Sequence, residues 1–130
     1  MGSTTENTVE FYQNLGKLFY AIAASDNNVN ELEILALKRI VKTEWSSFED
    51  ASQIVDVFDW LNVDQEYDAD ICFKNFIAFK HRNEQMFPDS TKQLISKTAN
   101  EIASSFAGRN KSELIMLARL DLEFKNEDEK

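Results

Sequence analysis

Between Val9 and Ala24 the apolar side chains fall on two neighbouring rows of a helix, with Phe11, Leu15, Leu18 and Ile22 on one and Tyr12, Phe19 and Ala23 on the next. Spacings of three and four residues predict an amphipathic helix with a wide buried face. The pattern restarts after Asn30. Asn30 and Glu33 have the spacing of a capping box, in which the Asn side chain accepts a first-turn N–H and the Glu reaches back to the cap. The expected face of this second helix is Leu32, Leu35, Ala36, the Arg39 stem and Ile40, running to about Trp45. A third helix is expected from about 48 to 62, opened by Ser47 and Asp50 and lined by Ile54, Val57, Phe58 and Leu61.

Asp68 is the expected N-cap of a fourth helix carrying Phe73, Phe76, Ile77 and Lys80, which must end before Pro88 because the residue preceding proline is driven out of helical geometry. The fifth points Leu94, Ile95, Thr98, Ala99, Ile102, Ala103 and Phe106 inward, with Gly108 as a left-handed stop. Asn110 and Glu113 open the sixth, which continues to Phe124. No window shows strand alternation bounded by tight-turn dipeptides. The expected class is all-α with about six helices, in one domain over residues 1–130 whose ordered core covers 8–125 between frayed ends.

Composition agrees with that plan. Three Gly and one Pro in 130 residues are too few to punctuate an all-β fold, and a hydrophobic fraction of 43% with ten Phe supplies a core without staples. Charge narrows the partners. With 23 acidic against 14 basic side chains the formal charge is -9, a field that repels nucleic-acid phosphates and anionic lipid and favours cations and basic protein surfaces. Cys72 stands alone and His81 is the single histidine, so neither an internal disulfide nor a Cys/His zinc site can be built, and a reducing cytoplasm is the expected location. The amino terminus has no basic region and no apolar run, so neither a secretory signal nor membrane insertion is expected.

The two ends of the chain resemble each other. At an offset of 80, residues 11–40 and 91–120 share nine identities in thirty, including Ile22/Ile102, Ser25/Ser105, Asn30/Asn110 and Glu33/Glu113. About two would follow from composition. The expectation is two pseudo-symmetric helical hairpins, with Gly16, Ala23, Ala99 and Ala103 allowing the first helix of each to approach the other.

One stretch invites a metal. In "ASDNNVNELE" the residues Asp26, Asn28 and Asn30 alternate as in a helix–loop–helix calcium loop, but the sixth position is Glu31 rather than Gly and the twelfth is Leu37 rather than a bidentate Glu. An ordinary EF-hand is thereby excluded. The longer segment "YAIAASDNNVNELEILALKRIV" resembles the signature of the tellurite-resistance TerB-like domains: an alanine-rich helix, an acidic turn, a hydrophobic residue, a cap and a Glu opening the next helix. Ala23, Ala24, Asp26, Asn27, Val29, Asn30 and Glu33 carry the likeness, Asn27 standing for the usual Gly, over about residues 11–45. The second half has Phe106 in the place of Asp26.

The resemblance implies an all-helical fold with pseudo-symmetric halves, a stress-response setting of the tellurite-resistance type, no enzymatic activity, and divalent-cation binding through acidic residues. The metal ligands it implies are Asp26, Asn28 and Glu33, holding calcium or magnesium weakly. Capping by Asp26 and Glu33 needs no metal and ranks ahead of it. Asp64, Glu66, Asp68 and Asp70 form a second acidic group that could lend ligands, although such a run more often charges a helix N-terminus.

The expected function is therefore a non-enzymatic TerB-like module that binds a protein partner, with weak metal binding. The alternative is a purely structural or interaction domain without metal, using a surface drawn from Trp45, Phe48, Trp60 and Tyr67. A metal-dependent hydrolase is a distant third, since no nucleophile or base is identifiable.

Overall fold

Helix α1, Gly2–Ala23, is the hub of the molecule. The computed structural model describes the backbone at residues 2–25, 29–64, 67–105 and 111–128, with the side chains from 8 to 125 within those ranges. Around α1 stand α2 (Glu31–Glu44), α3 (Ser52–Asp64), α4 (Ala69–Arg82), α5 (Asp89–Ser104) and α6 (Lys111–Asp128), with one turn of 3-10 helix at Glu84–Met86. Among the described residues every regular element is helical. The all-α expectation holds.

From Phe11 to Ala24 every side chain of the α1 segment is buried except Gln13, which is exposed, and Lys17, which is half-buried. A helix apolar on nearly all sides must be surrounded. α3 and α4 pack most extensively against α1, and α5 and α6 close the remaining sides. Gly16 sets the distance to α3: a Cβ built there would lie 2.7 Å from the Val57 Cβ and 3.0 Å from the Ile54 carbonyl oxygen. Gly16 therefore serves the α1–α3 contact, not the approach of α1 to α5 for which the sequence reading enlisted it. Ala23, Ala99 and Ala103 are fully buried.

α2 lies on α5 rather than on its sequence neighbour α1. Its buried face is Glu33, Ala36, Leu37, Ile40 and Val41, and Leu32 and Leu35 are exposed, so the face expected from hydrophobicity alone is rotated. The capping box turns Glu33 inward, and the positions one turn further on follow it. Trp45 closes the helix with its ring fully buried; its Nε1–H donates to Thr98 Oγ1 at 2.9 Å, and that hydroxyl donates to the Leu94 carbonyl at 2.8 Å. Lys97 and Glu44, 3.1 Å apart, extend the same seam at the surface.

The third helix begins at Ser52, later than the pattern suggested. Asp50 adopts a φ of 64°, and a left-handed residue ends any helix begun at 48. Phe48 is drawn to Trp45 and Phe11, with ring centroids at 4.8 and 6.5 Å, and Tyr12 donates its phenolic hydrogen to the Glu49 carbonyl. Packing of one aromatic residue thus overrides the apparent cap at Ser47. α4 stops at Arg82, before Pro88 as expected. Phe87 then meets Phe11, Phe76 and Phe79 at 5.4, 5.8 and 6.1 Å, tying the connection to the core by edge contacts favoured by the ring quadrupoles.

The two chain halves end their first helices alike. Ser25 Oγ donates to the Ile22 carbonyl at 3.0 Å and Ser105 Oγ to the Ile102 carbonyl at 2.7 Å; Glu33 and Glu113 are both buried. Packing differs between the halves. α6 lies on its own partner α5 and touches α1, whereas α2 crosses to α5. α6 is further tied to α4: Arg119 pairs with Asp70, donating at 2.8 Å over the Phe73 ring, and His81 Nε2 lies 3.3 Å from Glu123. Phe106, expected to face inward on the fifth helix, Gly108, expected to stop it, and Asn110, expected to open the sixth, lie outside the described residues.

Candidate functional site

Of the three implied metal ligands, Asp26 and Asn28 lie outside the described residues. Glu33 is 3% exposed and its Oε1 accepts the Asn30 backbone N–H at 2.7 Å, while Asn30 Oδ1 accepts the Leu32 N–H at 2.8 Å. Both halves of the capping box are formed. Among the described residues no three His, Cys, Asp or Glu side chains are grouped to hold a metal ion. In the second acidic group, Glu66 lies outside the described residues, and Asp68 sits at the N-cap of α4 without a side-chain capping bond. Asp70 is committed to Arg119 and Lys74, whose hydrogen bonds hold its carboxyl below the usual carboxylate range.

The four aromatic residues proposed for a surface divide into two pairs. Trp45 is fully buried and Phe48 is half-buried against it. Trp60 is 55% exposed and Tyr67 43% exposed, yet their rings meet each other at 5.4 Å with 46° between planes. They stand over a groove of about 430 Å³. Its floor is the polar stripe of α1, Gln13 and Lys17; its wall is α3, through Asp56, Val57, Trp60 and Leu61; Tyr67 closes one end.

The sequence dictates this opening. Gln13 and Lys17 are the two positions between Phe11 and Ala24 that are not buried, and Asp56 and Trp60 are one turn apart on the same face of α3. α3 and α4 pack on α1 far more than on each other, which leaves the stripe between them uncovered. Asp56 makes no ion pair among the described residues. Lys17 acts toward α4: the Cys72 thiol is pushed up by burial, and Lys17 opposes that rise while Asp68 adds to it. Burial likewise raises the Tyr20 phenol, reinforced by Cys72 and Asp64. The groove can thus offer apolar contact, two aromatic faces, an amide, a carboxylate on one wall and an ammonium on the floor.

Two other grooves are of similar size. One, about 470 Å³ between α2 and α3, borders Trp45 and Phe48; the other, about 420 Å³ between α4 and α6, borders Phe73, His81 and Arg119. Their aromatic rings already serve the core or the α4–α6 clamp. Trp60 and Tyr67 have no such use. Gln13, Lys17, Asp56, Val57 and Leu61 were not singled out as site residues from the sequence, although a polar stripe at 13 and 17 in an otherwise apolar helix was a readable signal. No protein-family model, curated protein or solved structure matches the chain.

Proposed function

We propose that this chain is a non-enzymatic, TerB-like helical module that works by binding a protein partner, in a stress-response setting of the tellurite-resistance type and in the cytoplasm. The observation that carries the interaction reading is the exposed Trp60–Tyr67 pair over the uncovered stripe of α1. Large aromatic side chains held at a groove are the usual anchors of protein interfaces. No described helix is long and apolar enough to cross a membrane, so a lipid-spanning role does not compete for these rings.

The TerB-like part rests on the motif around Asn30 and Glu33 and is supported by the matched helix ends at Ser25 and Ser105, which suit two pseudo-symmetric hairpins. A weak calcium or magnesium site at Asp26, Asn28 and Glu33 belongs to the same reading; titrating either ion while following the amide of Glu33 by NMR tests it, and an unmoved resonance removes it. The interaction reading is tested by placing a photo-crosslinking phenylalanine derivative at position 60, 67 or 35 in cells. Adducts of one discrete mass from 60 and 67, and none from the exposed Leu35 position, are expected. Equal capture at all three, or none, contradicts the reading.

A further inference from the structure

We propose that the groove between α1 and α3 receives a basic segment of a protein partner, with a lysine or arginine side chain laid over the Trp60–Tyr67 pair and its charge directed to Asp56. The inference rests on the interaction reading above and adds the chemistry of the occupant. Two rings inclined at 46° with centroids 5.4 Å apart are in tilted contact and brace each other at the groove. Each ring keeps an exposed part to which a cation can be attracted, and tryptophan is the best of the aromatic acceptors. Lysine and arginine also bring apolar stems, which suit Val57 and Leu61 below the rings.

Charge selects among occupants. Asp56 lines the wall without an ion-pair partner among the described residues, and the chain carries a net -9. A second copy of the chain would bring the same negative field to the groove, and anionic polymers or lipid surfaces would be repelled for the same reason. Asp59 on α3 is already occupied by Lys38 at 3.8 Å, so Asp56 is the α3 carboxylate left to a ligand at this wall. Lys17 on the floor opposes a cation placed beside it. The incoming charge is thereby directed to the α3 wall.

The test is calorimetric titration of the full chain with two peptides of equal length and helical Leu spacing, one carrying Lys and the other Glu at the polar positions. The Lys/Leu peptide is expected to bind, and the Glu/Leu peptide at least about tenfold more weakly. Trp60→Ala changes no charge, so it separates the groove from general attraction to an acidic protein; it is expected to weaken the Lys/Leu peptide about tenfold. Asp56→Asn weakens it several-fold and Lys17→Gln strengthens it, opposite signs that a non-specific effect of surface change does not give. If the Glu/Leu peptide binds as well as Lys/Leu and both depend on Trp60, the cation assignment fails and the interaction reading stands. If Trp60→Ala leaves both peptides unaffected, the groove is no docking site and both fall. Trp60 is half in water, so its replacement leaves the fold intact; a thermal melt checks this.

Discussion

The two tryptophans of this chain sit fifteen positions apart in sequence and in opposite circumstances. Trp45 ends α2 with no exposed surface, its N–H given to Thr98 and its ring edge-on to Phe19. Trp60 lies on the outer side of α3, where the ring it meets, Tyr67, is itself half in water. One residue type does two jobs because the neighbours differ: Trp45 has a fully satisfied polar atom inside a close-packed core, and Trp60 has a groove. The lesson is that aromatic content alone does not locate a site. What distinguishes the proposed recognition residue is that, among the described residues, it is not part of the buried core.

Stability should report that division first. Trp45→Ala removes a fully buried ring and is expected to cost about 3–5 kcal/mol in urea unfolding, whereas Trp60→Ala should cost less than about 1 kcal/mol. Equal losses would erase the comparison. Next, Gly16→Ala should destabilise by about 1–2 kcal/mol, because overpacking against the Val57 Cβ at 2.7 Å outweighs the gain in helix propensity. It should also move α3 and so alter peptide binding at the Trp60 groove, which joins the two halves of the comparison. Thr98→Val keeps the shape but leaves the buried Trp45 N–H without its acceptor, a loss of about 1–2 kcal/mol. Binding at the Trp60 groove should be unchanged in that variant.

The smallest effect lies away from both tryptophans. Asp70 has its folded pKa lowered by Arg119 and Lys74, so its contribution is present above the ordinary carboxylate range and is lost as pH falls through the lowered folded value. Asp70→Asn should therefore be slightly less stable than the parent near neutrality, with the gap closing on acidification in parallel urea titrations. The Asp70 side chain is 43% exposed and solvent screens its pairs, which keeps the effect to roughly a fraction of a kcal/mol. A gap that widens on acidification would reverse the assigned sign.

The helices were legible wherever period and caps agreed. α1, α4 and α5 bury most of the residues their spacing picks out, with Ile77 and Leu94 half-buried and Phe106 outside the described residues, and Asn30 with Glu33 forms the capping box its spacing announces. The failures have local causes. The start of α3 was misplaced because Ser47 and Asp50 imitate a cap, while Phe48 packing and the left-handed Asp50 delay the helix to Ser52. Leu32 and Leu35 were assigned inward because hydrophobicity outranked Glu33, yet the capping box sets the rotation of α2. Gly16 was assigned to the wrong neighbour since no periodicity tells which helix a small residue faces. At the site, Trp60 and Tyr67 were visible as candidates, but their mutual contact and the Gln13–Lys17 floor depend on how α3 and α4 straddle α1.

The two indole N–H resonances offer the most direct test, because a single NMR titration with the Lys/Leu peptide reads both tryptophans at once. The account predicts that the Trp60 indole exchanges rapidly with solvent and shifts progressively to saturation, while the Trp45 indole, bonded to Thr98, is protected and stays in place. A Trp45 signal that moves with the peptide while Trp60 stays still would contradict the division between core and recognition surface.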